Sequence, residues 1–122
     1  MKILVIDDSQ DRMEIFVKCF SSSEHEISYA KCYDESIVAL DSNVFNVVFL
    51  DHDLGEDKTG HDIAKHILEK GQTPIVVIHS MNVPAATNVQ KMLIGSAYPS
   101  NVVVVPFGSM MFYSIMQQII QL

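Results

Sequence analysis

The sequence predicts an α/β fold in which five parallel strands form one doubly wound sheet and five helices cover its faces. Two observations carry this. The runs Ile3–Ile6, Val47–Leu50, Ile75–Ile78 and Val102–Val105 are apolar without interruption, and strands buried on both faces belong to parallel sheets. Between them lie segments with apolar residues at helical spacing, bounded by capping residues. The alternation spans 122 residues with no linker, repeat or low-complexity stretch, so residues 1–122 are expected to form one domain.

The elements follow in order. Ile3–Ile6 is a buried strand that runs into Asp7 and Asp8. Met13, Phe16, Val17 and Phe20 then mark a helix closed by Ser21, Ser22 and Ser23. Residues 26–31 form a more polar strand, nearer an edge. Asp34 is placed to cap a short helix carrying Ile37, Val38 and Leu40, which stops at Asp41, Ser42 and Asn43. The strand Val47–Leu50 ends in Asp51, His52 and Asp53, followed by Leu54 and Gly55. Thr59 and Asp62 have capping-box spacing for a helix with Ile63, Ala64, Ile67 and Leu68, and Gly71 ends it. Pro74–Ile78 is a strand ending in His79 and Ser80. Asn82 as cap and Pro84 in the first turn open a helix reaching about Gly95. Val102–Val105, stopped by Pro106, is the fifth strand, and Gly108 and Ser109 start a helix to Leu122. Right-handed crossovers restrict such a chain to a few strand orders, of which the flavodoxin-like 2-1-3-4-5 leads.

Composition narrows the function. Apolar residues make up 48% and charged residues 19%, as in a globular chain. A net charge of -7 disfavours nucleic acid and anionic lipid as partners. No apolar run approaches a membrane span, and the N-terminus does not read as a signal peptide. Cys19 and Cys32 lack metal-ligand spacing and fit reduced thiols. A soluble, cytoplasmic protein is expected.

The polar residues gather at strand ends. In the order 2-1-3-4-5 the ends of the first, third and fourth strands are neighbours, which brings Asp7 and Asp8 beside Asp51 and His79. Ligands of open parallel sheets bind there, beyond the carboxyl ends of the strands. Carboxylates this close repel one another, so either protons or a cation must compensate them. A hard divalent ion such as Mg²⁺ suits this donor set. The alternative is that these aspartates cap the helices that follow them. Elsewhere, Asp62 and His66 are spaced so that they could pair along a helix, with a solvated helix face as the favoured reading, and Met13 and Met92 fit core stripes.

With those residues in view, the chain resembles the receiver domains of two-component response regulators over essentially its whole length. The likeness rests on Ile3-Leu4-Val5-Ile6-Asp7-Asp8-Ser9, on Val48-Phe49-Leu50-Asp51, on Gly60 and on Val104-Val105-Pro106-Phe107. It implies that Asp51 is the aspartate that accepts a phosphoryl group from a histidine kinase, as part of a phosphorelay. It further implies that Asp7, Asp8 and Asp51 form the Mg²⁺ site, and that Asp53 adds its backbone carbonyl. It also implies a stand-alone receiver with no output domain, working through a protein partner such as a kinase or downstream regulator.

Several positions depart from that family. His79, with Ser80 next to it, stands where receivers carry the Ser or Thr that contacts the phosphoryl group. Val105 stands where they carry a Lys whose charge-assisted bond contributes about 1.5–3 kcal/mol. Val102 replaces the aromatic switch residue, and Leu54-Gly55 replaces Met-Pro. Without the lysine the pocket is expected to be more negative, which favours a metal. The alternative function is a metal-dependent hydrolase or phosphotransfer enzyme that uses the acids with His79. His52 follows Asp51 on a loop and is expected to point away from it; the other reading makes it a ligand for a transition metal. A Rossmann-type nucleotide site is disfavoured, because acids occupy the place of a glycine-rich phosphate loop.

The C-terminal part carries a separate signal. No charged residue follows Lys91, and the last helix is apolar over more of its circumference than packing on a sheet requires. A homodimer or obligate partner through region 92–122 is expected.

Overall fold

The computed structural model describes residues 1–122. The elements are β1 (Lys2–Ile6), α1 (Gln10–Phe20), β2 (Glu26–Ala30), α2 (Tyr33–Ser42), β3 (Val47–Leu50), α3 (Gly60–Glu69), β4 (Ile75–Ile78), α4 (Val83–Gly95), β5 (Val102–Val104) and α5 (Met110–Ile120). The sheet is parallel throughout, in the order β2-β1-β3-β4-β5. No helix is long and apolar enough to cross a membrane.

The central strands are buried on both faces, and their alternation divides the core. Ile3, Val5, Val47, Phe49 and Val77 pack with Met13, Phe16 and Phe20 of α1 and with Phe112, Met116 and Ile119 of α5. Leu4, Ile6, Val48, Leu50, Val76 and Ile78 face the opposite layer, with Leu40, Ile63, Ile67, Val89 and Leu93. Register fixes what happens at the strand ends. Ile6 pairs with Leu50, and Leu50 with Ile78. The ladder continues one residue further, with Asp51 N donating to Ile6 O at 3.0 Å and His79 N to Leu50 O at 3.1 Å. Asp7, Asp51 and His79 therefore stand side by side, in phase with the residues that face α1 and α5.

The capping chemistry behaves as the sequence predicts in α3, α4 and α5. Thr59 and Asp62 form a complete capping box, Asn82 caps α4 with Pro84 in its first turn, and Ser109 caps α5. Gly71 takes a positive φ of 67° just past α3. Helix α2 differs. Its N-cap is Cys32, without a side-chain cap, and Asp34 lies inside the first turn. The acid still favours the positive end of that helix. Val17 and Val38 are exposed, at 49% and 66%, because the buried stripes run through Phe16 and Phe20 in α1 and through Ser36 and Leu40 in α2.

Candidate functional site

The site is built from the loops after β1, β3 and β4 and from the first turn of α1. Asp7 is fully buried and Asp51 nearly so, at 4% exposure. Asp8 stays partly open to water. One oxygen from each of Asp7, Asp8 and Asp51 lies within 4.8 Å of the others. The three acids are thus brought together as the sequence predicts.

The cation among them is one that sequence reasoning missed. Arg12 reaches in from α1, donating from Nε to Asp7 Oδ2 at 2.9 Å and from Nη2 to Asp7 Oδ1 at 2.9 Å. The same Nη2 donates to Asp51 Oδ2 at 3.1 Å and lies 3.6 Å from Asp8 Oδ1. The expectation of a more negative pocket is therefore corrected: with Val105 in place of lysine, the compensating charge enters from α1. Val105 itself is fully buried in the apolar layer. A signal for Arg12 existed. It stands four residues before Phe16 and eight before Phe20, at the head of the buried stripe of α1.

His79 is buried, and its Nε2 lies 2.8 Å from Asp7 Oδ2. Phe16, Phe107 and Phe112 surround the ring, at centroid distances of 5.1, 6.1 and 6.5 Å. Burial lowers the His79 pKa below its ordinary value, against the hydrogen bond to Asp7. The other ring nitrogen, Nδ1, has no partner. A neutral ring explains both facts: Nε2–H donates to Asp7, and an unprotonated Nδ1 faces the phenyl rings.

Asp7 consequently receives four hydrogen bonds, two from Arg12, one from His79 and one from Ser9 N at 2.9 Å. Burial alone would raise its pKa, but the bonds from His79, Arg12 and Ser9 outweigh that and hold it at about 2. Asp51 goes the other way. Burial, then the charge of Asp7, raise its pKa to about 7 despite Arg12. One carboxyl is a permanent anchor and the other exchanges a proton near neutrality.

The loop after β3 closes on these groups. Leu54 is buried in the core on the far side of the sheet. Gly55 has a φ of 68°, and a Cβ there would lie 3.2 Å from Asp8 Oδ2. Gly60 packs against the backbone of Asp51, where a Cβ would sit 2.6 Å from the carbonyl oxygen. A cavity of about 160 Å³ opens above, lined by Arg12, Asp51, Asp53, His79, Ser80 and Met81. Ser80 Oγ accepts from Asn82 N at 3.0 Å.

Two further histidines lie apart from the acidic cluster. His52 turns to Asp53, with Nδ1 2.9 Å from Oδ1, and is not among the residues clustered for a metal. His66 does not pair with Asp62, which is occupied in the capping box, but with Asp41 of α2 at 2.8 Å.

The acids have the donor chemistry for Mg²⁺, hard oxygens at close quarters. Asp8 and Asp51 keep oxygens free of short backbone bonds, whereas both oxygens of Asp7 are engaged. The residues fit the ion if Arg12 yields.

Comparison with known proteins agrees with the fold. A search of curated proteins returns no match. Among solved structures, the response regulator TrrA of Thermotoga maritima, in complex with Mg²⁺-BeF, superposes with a TM-score of 0.73 at 18% identity, covering 96% of each chain. The non-phosphorylated receiver domain of HemR from Leptospira biflexa gives 0.74 at 21% identity, covering 98% of this chain and 92% of that one. NtrX of Brucella abortus gives 0.74 at 22% identity over 98% of this chain and 27% of that longer one. These likenesses establish the receiver fold. Residues 2–95 also match the family described as "Cyclic-phosphate processing Receiver domain". That match spans most of the sheet and every residue of the acidic pocket, and by it the chain belongs to the cyclic-phosphate processing receiver domains.

Proposed function

We propose that the pocket binds a cyclic phosphate ester and opens its ring. The observation that carries this reading is the chain of bonds His79–Asp7–Arg12–Asp51 along the floor of the cavity. Each group has a task in phosphate chemistry. The guanidinium of Arg12 faces the negative charge that develops on phosphate oxygens. His79 and Asp7 fix that guanidinium and act as positioning residues. Asp51, with a pKa of about 7, takes a proton from the attacking water and hands it to the leaving alkoxide. The water oxygen bonds to phosphorus, one ring P–O bond breaks, and the product is a phosphate monoester. In the metal-loaded pocket, a divalent ion held by Asp8, Asp51 and the backbone carbonyl of Asp53 would supply the positive charge against the phosphate oxygens in place of the guanidinium. At about 160 Å³ the cavity suits a phosphate group, with the rest of the substrate outside. The family description supports the same substrate class.

The test is direct. Incubating the chain with five- and six-membered cyclic phosphodiesters, with Mg²⁺ or Mn²⁺, should produce monoester by phosphorus NMR, and Asp51→Asn should abolish the conversion. No conversion of either ring size by the folded wild type would sink the reading.

A second reading, phosphorylation of Asp51, is favoured by the position of this carboxyl at the end of β3 with Oδ2 directed toward Arg12. His79 then occupies the switch position, and the partners are a histidine kinase or a downstream regulator. Amide signals around Asp51 that move with Mg²⁺ only when beryllofluoride is added would support it. We also propose a homodimer through region 92–122, where Ile94, Met110, Met111, Tyr113 and Leu122 are exposed.

A further inference from the structure

We propose that Arg12 and a divalent cation are alternative occupants of the Asp7, Asp8 and Asp51 cluster, so that the ion enters only as the guanidinium leaves. The two compete for the same oxygens. Nη2 of Arg12 lies 2.9 Å from Asp7 Oδ1, 3.1 Å from Asp51 Oδ2 and 3.6 Å from Asp8 Oδ1. Those three carboxylates are also the set whose oxygens converge within 4.8 Å. An ion coordinated at roughly 2.1 Å from these oxygens would occupy the space that Nη2 fills. It would also place a second positive charge against the guanidinium.

The structure gives Arg12 a way out. Its side chain is 32% exposed, so the guanidinium can turn into water. Its Cζ lies 5.9 Å from the centroid of Phe107, a face that stabilises a cation near the rim. Asp7 would not be stranded by the exchange, because Ser9 N and His79 Nε2 keep one donor on each of its oxygens. No lysine replaces the lost charge from β5, since Val105 is buried among apolar side chains. The cluster therefore has one resident cation, tethered to α1, and a visiting ion takes its place. The inference concerns cation occupancy alone and holds whether the phosphate is cyclic or carried on Asp51.

Magnesium alone is titrated into the full chain by calorimetry, while ¹⁵N NMR follows the Arg12 Nε–H. The Arg12→Gln variant is expected to bind Mg²⁺ about tenfold more tightly, as when the competent state is a tenth of the population. In the wild type, saturating Mg²⁺ should shift the Nε–H signal to that of a solvated arginine exchanging rapidly with water. A slowly exchanging Nε–H that persists with the ion bound overturns the proposal. Equal or weaker affinity in folded Arg12→Gln, or no binding by either protein, also overturns it. Should Arg12→Gln fail to fold, Arg12→Met, which keeps an apolar stem but no charge, is the second variant, and a Mg²⁺ affinity no tighter than wild type again overturns the proposal. Cyclic phosphodiester turnover and beryllofluoride binding are read separately, so failure of the phosphate readings is distinguishable from failure of this one.

Discussion

At the scale of single residues, Asp51 and Asp7 oppose each other. In metal-free buffer the folded chain keeps a proton on Asp51 up to about pH 7, whereas the unfolded chain releases it near 3.8. The folded state then binds more protons, so stability from this group falls as pH rises from about 4 to about 7. The Asp51→Asn variant, which keeps an acceptor for Arg12, should be more stable than wild type by about 2 kcal/mol at pH 8, with the difference vanishing near pH 4. Urea unfolding across that range measures it. Asp7, held at about 2, contributes stability that is present above pH 4 and lost as pH falls toward 2. His79→Phe fills the aromatic cage but strips Asp7 of a buried donor. It should cost about 1–3 kcal/mol in thermal or urea unfolding, with the loss greatest where Asp7 is ionised.

At the scale of elements, the loop from β3 to α3 sets the height of Asp51 above the sheet. Gly60 N donates to His52 O at 2.9 Å, and the missing side chain lets α3 begin directly against the Asp51 carbonyl. The Gly60→Ala variant must push backbone against backbone. It should destabilise the fold by about 1–3 kcal/mol and depress turnover through displacement of Asp51. Thr59→Ala removes only a cap and should cost about 1 kcal/mol with turnover kept in the folded protein. Comparing the two by unfolding and by phosphorus NMR separates loss of stability from loss of geometry.

At the scale of the molecule, one end of the sheet carries the clustered acids and the C-terminal part exposes large apolar side chains. On α5, Phe112, Met116 and Ile119 are buried, while Met110 and Met111 are exposed at 91% and 63%. The uncharged helix therefore packs with one face and exposes another. Light scattering at micromolar concentration should show a dimer for the wild type and a monomer for Met111→Glu. A wild-type monomer would remove the homodimer.

The sequence by itself determined the fold and which polar residues stand at its strand ends. Unbroken apolar strands demanded a parallel sheet, and the strand order brought Asp7, Asp8, Asp51 and His79 to neighbouring strand ends; that Asp7, Asp51 and His79 share the α1 side follows from the register of the folded sheet. The sequence also exposed the absence of a lysine at Val105. Only the tertiary structure decided how the charge is balanced. Arg12 looks like an ordinary first-turn arginine until α1 is docked with Phe16 and Phe20 beneath it, which aims the guanidinium at three carboxylates from two other loops. The histidines show the same limit. His66 meets Asp41 and His79 meets Asp7 across long sequence separations that local spacing does not encode. Period and propensity are properties of neighbouring residues. The pairing of buried charges depends on distances that exist only once the helices have packed on the sheet.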